Sequence, residues 1–209
     1  PVVDRVHLVN LHAVELIGVG LDRVEQRRGF AVGERDDQLG PPADVIEEYT
    51  RPARLMENGF IVTKPALSEV EWIHFDEVGT LEAFNTDGLR SLLYTMPHIR
   101  NQKEKTLRYP GHVDIITSLK ESNFFSEVPI DVNGVKISPL QVTSRILFNE
   151  WKLGLEEEEL TVMKVLLHGE NRTVEWNLLD HYDKGTKISS MARTTGYTCT
   201  AAVNLIAQE

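Results

Sequence analysis

From Asp44 onward, apolar and polar positions alternate in short runs whose period changes, and those changes outline the elements. Residues 69–75 and 80–84 read as strands, followed by a helix over 88–95 that Pro97 closes. Residues 106–109 are extended, and Pro110 suits the first turn of the next helix, where its missing N–H costs nothing. Leu140, Val142, Ile146, Leu147 and Trp151 trace one face of another helix. Met163, Val165 and Leu167 alternate with Lys164 and Leu166. After a turn at 169–172, Val174, Trp176 and Leu178 alternate with Glu175 and Asn177, which predicts a long antiparallel hairpin. Asn58-Gly59 and Asn133-Gly134 sit between strand-type residues, and Asn-Gly readily adopts the positive dihedrals of a tight hairpin turn. A last helix over 189–208, capped by Ser189 or Ser190, is rich in Ala, Gly and Thr and can pack close to a sheet. The sum is an α/β or α+β domain with a mainly antiparallel or mixed sheet and helices on one face.

The first 42 residues follow other rules. They hold five Arg and no Lys, and lack Ser, Thr, Tyr and Trp altogether, whereas the remainder carries nine Lys and eight Arg and uses hydroxyl residues freely. The break at Pro41-Pro42 divides an unassigned segment, 1–42, from a domain at 43–209. A frameshifted or junctional segment and an unusual genuine one both fit the break, and either way the segment is expected to contribute little to the fold. The chain opens at Pro1 and its first methionine is Met56, so it reads as a piece of a longer protein. Apolar positions from Leu8 to Val24 have helical spacing, and Gly18 and Gly20 begin like a dinucleotide fingerprint. Arg23 occupies the third glycine position, and Asp4, Arg5 and His7 interrupt any preceding strand, so no nucleotide binding is expected there.

Composition narrows the partners. A formal net charge of -10 opposes phosphate backbones and anionic membrane surfaces, so neither nucleic acid nor membrane is expected. Cys199 is the only cysteine, which excludes a disulfide framework and suits a reducing, cytoplasmic setting. It is expected to be inert packing in the last helix. No apolar run approaches the ~20 residues of a membrane span. His168, His181 and Asp183 lack a metal-ligand spacing, so no metal is predicted. The acidic run at 156–159 reads as a solvated loop.

Candidate chemistry gathers in residues 84–93, 104–112 and 190–198, each at the start of a predicted helix, where free N–H groups favour an anion. Arg108 can grip a carboxylate with two parallel hydrogen bonds; a salt bridge to Glu104 or Asp114 is the alternative. His112 suits proton transfer near neutral pH, or helix capping and packing. Thr86 and Asp87 contact substrate or cap the following helix. Arg193, Thr194, Thr195 and Tyr197 lie in the first turns of the last helix, whose N–H groups complete an anion site, unless they simply pack.

The segments RPARLMENGF (residues 51–60), LEAFNTDGLRSLL (81–93), EKTLRYPGH (104–112), VNGVKISPL (132–140) and SMARTTGYT (190–198) resemble, in order and spacing, the C-terminal part of the saccharopine dehydrogenase and lysine 6-dehydrogenase family. The resemblance runs from about Ala43 to the end. It implies the substrate-binding and dimer-forming part of an NAD- or NADP-dependent oxidoreductase that acts on a carbon–nitrogen bond of lysine or saccharopine, with a small anionic amino acid as substrate and a homodimer as assembly. The family's nucleotide-binding domain is missing, so this chain alone is expected to bind no NAD or NADP and to be inactive. A non-catalytic small-molecule-binding or dimerisation module derived from the same fold is the alternative.

Overall fold

The computed structural model describes residues 3–11, 43–151 and 158–208. In chain order they form β1 (Val3–Leu11), α1 (Ala43–Thr50), β2 (Ala53–Glu57), β3 (Phe60–Lys64), β4 (Glu71–Phe75), β5 (Gly79–Asn85) and α2 (Leu92–Thr95). There follow β6 (Asn101–Arg108), α3 (His112–Glu121), β7 (Ile130–Val132), β8 (Val135–Ile137), α4 (Pro139–Trp151), β9 (Leu160–Gly169), β10 (Thr173–His181) and α5 (Ser190–Ala207).

The main sheet runs β10-β9-β1-β6-β2-β3, with β5 also on β6 and β4 on β5. Only β1 and β6 are parallel; the other pairs are antiparallel, so the sheet is mixed and the domain is α+β. Both Asn-Gly pairs make their turns as the sequence indicates. Asn58 and Gly59 (φ 53° and 87°) join β2 to β3, and Asn133 and Gly134 (φ 55° and 85°) join β7 to β8. The β9–β10 hairpin pairs Met163 with Leu178 and Val165 with Trp176.

Paired residues share a sheet face, and successive residues alternate between faces. One face carries a core in which Phe84 meets Ile46 and Tyr49 of α1, Val113 and Ile116 of α3, and Leu140, Leu147 and Trp151 of α4. Met56, Leu89 and Leu93 extend the packing around α2. The opposite face carries Leu81, Ala83, Leu107 and Val162, with Phe75 of β4 turned over them. The Lys164 ammonium lies 5.4 Å from the centre of the Phe75 ring.

Several expectations need correction. Leu8–Leu11 are strand, not helix, and Arg5 and His7 do not interrupt that strand, although its register with β9 shifts at Asp4: β1 pairs with β6 on one side and β9 on the other. Part of the first 42 residues therefore bridges the sheet rather than standing outside it, because a strand flanked on both edges is set by long-range pairing that residue usage does not encode. The rest of the helix expected over 8–24, the fingerprint at Gly18 to Arg23 and the break at Pro41-Pro42 lie outside the described residues. The helix expected over 88–95 shrinks to α2, since Arg90 takes a positive φ of 42°. Strand β6 is longer than 106–109, starting at Asn101. Gly111, not Pro110, begins α3 as its N-cap. Cys199 is exposed rather than packed.

Candidate functional site

Strand β6 is central, and a central strand ordinarily turns apolar residues to both sides. Here Gln102, Glu104, Thr106 and Arg108 form a buried polar row on the helix-covered face. The partners of the row explain how it is tolerated. Thr86 Oγ1 donates to Glu104 Oε2 (2.6 Å), and the Gly88 N–H donates to the same oxygen (3.1 Å). The Thr86 and Thr106 hydroxyls are 2.8 Å apart. A Cβ at Gly88 would fall inside van der Waals contact of Cγ, Cδ and Oε2 of Glu104, so that side chain would have to shift to admit one. Burial pushes the Glu104 carboxyl up to about 7 against the pull of the Thr86 hydroxyl, while the Glu48 charge raises it further. It is thus poised between its acid and its anion near neutral pH.

Arg108 is buried, with Nη1 donating to the Leu107 carbonyl (2.8 Å) and Nη2 to Glu48 Oε2 (3.2 Å). It pairs with Glu48 of α1, and its charge also draws the Glu104 carboxyl down. His112 is 1% exposed, its ring parallel to that of Phe84 (centres 6.2 Å apart) and tilted against Tyr49 (5.3 Å). Burial, with the Arg108 charge behind it, holds the imidazole well below its ordinary value, so the ring is neutral at neutral pH. Thr86 and Asp87 do not cap α2: Ser91 is its N-cap and makes no side-chain cap bond. Asp87 instead takes the Arg54 fork, with Nε to Oδ1 at 2.9 Å and Nη2 to Oδ2 at 2.7 Å, and accepts the Arg54 N–H at 3.1 Å.

Two of the three helix starts expected to hold an anion, those of α3 and α5, are already occupied by the protein's own carboxylates. Glu82 accepts from the Gly111 N–H (2.8 Å) and the Val113 N–H (3.0 Å) at the start of α3. Glu159 accepts from the N–H groups of Ser190 and Met191, and Ser189 Oγ from the Ala192 N–H (3.1 Å), at the start of α5. Glu159 is therefore a buried cap, not part of a solvated loop. A carboxylate at a helix start satisfies orphan N–H groups and the dipole together, so a ligand anion would have to displace these caps at α3 and α5.

Between α5 and the β9–β10 hairpin lies a cleft of about 650 Å³. Arg193, Thr194, Thr195 and Tyr197 line it from the helix, with Met163, Leu178 and Asp180 among the sheet residues opposite. Arg193 Nη2 reaches both Asp180 oxygens (2.6 and 2.7 Å) and the His181 carbonyl (2.6 Å), and Nη1 lies 3.3 Å from Asp183. Ser190 Oγ donates to Asp180 Oδ2 (2.7 Å).

The cleft and the polar row share one sheet face. Phe84 pairs with Thr106, Thr106 with Asn10, Asn10 with Met163, and Met163 with Leu178. Thr106 and Met163 are two strands apart, roughly 10 Å. Tertiary structure thus brings 84–93, 104–112 and 190–198 to one side of the sheet, yet only Arg193, Thr194, Thr195, Tyr197 and Thr198 of these segments line the cleft. Glu48, Glu82 and Asp180 escaped the sequence reading, which met Glu104 only as a partner for Arg108 and Glu159 only within an acidic loop. For Glu104 a signal existed, an acidic residue amid the strand-like run 101–108; the others are assigned only by their distant partners.

Residues 41–209 match the family described as the Saccharopine dehydrogenase C-terminal domain. The fold is similar to that of apo saccharopine dehydrogenase (L-Glu forming) from Saccharomyces cerevisiae, with a TM-score of 0.64 at 14% sequence identity. That match covers 99% of this chain and 59% of the yeast chain, so the chain spans less than two thirds of that protein. With its mixed sheet, one-sided helices and matched residues 41–209, the chain belongs to the saccharopine dehydrogenase C-terminal domain family.

Proposed function

We propose that this chain is the substrate-binding part of an NAD- or NADP-dependent oxidoreductase acting on a carbon–nitrogen bond of lysine or saccharopine. Family membership supports the oxidoreductase class, and the cleft beneath α5, lined by residues of the matched segment, is the observation that carries the substrate side. Thr195 and Tyr197 are the proposed contacts open to a ligand, and Arg193 lines the same cleft while paired with Asp180 and Asp183. Arg108, Thr86, Asp87 and the proposed proton-transfer group His112 lie deeper, so a role in substrate handling requires their present partners to give way. In this reading residues 43–209 form the substrate and dimerisation domain of a cytoplasmic homodimer. The segment 1–42 lends that domain its strand β1.

The described residues do not fit a dinucleotide. A pyrophosphate is ordinarily received by free N–H groups at a helix start, and Glu82 and Glu159 hold those of α3 and α5. In this reading the nucleotide belongs to another part of the parent enzyme, and this chain alone is inactive. Calorimetric titration of the 209-residue chain tests both points. Saturable heat is expected with L-lysine or saccharopine, and none with NAD or NADP. Silence with both amino acids would remove the substrate reading, and micromolar binding of either dinucleotide would place the nucleotide site in this chain.

A further inference from the structure

The hydrogen-bonding character of the cleft beneath α5 points to which end of a ligand it receives. Its one strong cationic donor among the described residues, Arg193, is spent on Asp180, Asp183 and the His181 carbonyl. A ligand carboxylate entering the cleft would have to displace these partners. Two of the wall hydroxyls have also directed their protons elsewhere. Thr194 Oγ1 donates to the Ser190 carbonyl (2.9 Å), and Thr198 Oγ1 to the Thr194 carbonyl (2.6 Å). Each hydroxyl keeps lone pairs but no free proton, so it faces a ligand as an acceptor. The Thr161 and Ser190 hydroxyls lie 2.9 Å apart and engage each other.

What remains open is a set of acceptors beside apolar and aromatic surface, together with the Thr195 and Tyr197 hydroxyls, which can donate or accept. An ammonium is the complementary group: three donors, no acceptor and a positive charge. Asp180 and Asp183 together outweigh the single charge of Arg193, so the local sum also favours a cation. Met163 and Leu178 supply a wall for an aliphatic chain, and the Tyr197 ring supplies a face on which a cation gains further. We propose that this cleft receives the ammonium-bearing aliphatic end of an amine, with the charged nitrogen against Asp180 and the Thr194 and Thr198 hydroxyls. The proposal deepens the substrate reading above and rests on it for the identity of the natural ligand. The cleft chemistry can be tested without that identity.

The test is calorimetric titration of the full 209-residue chain with cadaverine, which has amines and no carboxylate, with glutarate, which has the reverse, and with L-lysine. Working near physiological ionic strength, where the Debye length is about 8 Å, suppresses diffuse attraction to the acidic surface. Cadaverine should bind saturably and glutarate should not. Asp180→Asn should weaken cadaverine about tenfold, the scale of a lost charged hydrogen bond, and should release Arg193 to bind glutarate. Asp180 also holds Ser190, so Tyr197→Leu provides a second variant at an exposed position that leaves the fold alone; cadaverine should weaken about threefold. Glutarate binding without cadaverine, or no binding of either, overturns the proposal. So does cadaverine binding that neither substitution alters. Lysine binding that neither substitution alters overturns it as well, while leaving the substrate reading intact. Cadaverine binding that depends on both residues, with no response to lysine or saccharopine, upholds the cleft chemistry and removes the substrate reading.

Discussion

Glu104→Gln should make the chain more stable at alkaline pH, and the effect can be sized from the burial of this one carboxyl. The folded protein raises it from 4.5 to about 7, chiefly because burial disfavours the anion. Below about pH 4.5 the group is protonated folded and unfolded, and it carries no penalty. Between about 4.5 and 7 the unfolded chain ionises while the folded one does not, so stability falls as pH rises; above about 7 the full deficit stands, about 3 kcal/mol. The substituted amide retains an oxygen to accept from the Thr86 hydroxyl and the Gly88 N–H but cannot ionise. Glu48 and Arg108, the charged neighbours of Glu104, are present in both proteins and largely cancel in the comparison. Urea unfolding at about pH 5 and about pH 8.5 should therefore show the gap between variant and parent widening by about 2 to 3 kcal/mol in favour of the variant, or about 1 M in midpoint. Parallel dependence on pH in the two proteins would refute the reasoning and show that Glu104 is ionised, and fully compensated, where it lies.

Gly88→Ala should destabilise by about 1 to 3 kcal/mol, because its Cβ invades the space of the Glu104 side chain; an unchanged melting temperature would show that Glu104 can move aside. Glu82→Ala should cost about 1 to 2 kcal/mol by orphaning the Gly111 and Val113 N–H groups, and hydrogen exchange at the start of α3 should speed up, which an unrelated packing defect would not single out. Deleting residues 1–11 removes β1 from between β6 and β9, so cooperative unfolding should be lost. A truncated chain that melts within a few degrees of the parent would restore the expectation that the segment lies outside the fold.

Local rules settled much of this protein without its structure. Asn58-Gly59 and Asn133-Gly134 could only turn tightly, since their positive dihedrals are a property of the residues themselves. The alternation from Met163 to Leu178 fixed the β9–β10 hairpin and its register because a strand's period of two tolerates no slip where one side is covered. Ser189 capped the last helix as its type and place required. The α+β class followed from the order of such signals, and the quoted segments carried the family.

What the tertiary structure decided was which charge meets which. Arg108 finds Glu48 and Lys105 finds Glu71, while Arg54 finds Asp87. The separations involved, such as the 60 residues between Glu48 and Arg108, leave no trace in a local pattern. The same holds for Glu82 and Glu159, which fill two of the helix starts that sequence alone offers to a ligand. Strand β1 is the clearest case: Arg5 and His7 argue against a strand locally, yet pairing with β6 and β9 on both edges overrides that weak preference. A sequence specifies its turns and caps through groups a few residues apart, whereas a site is made from the ends of long loops, and only the folded chain brings those ends together.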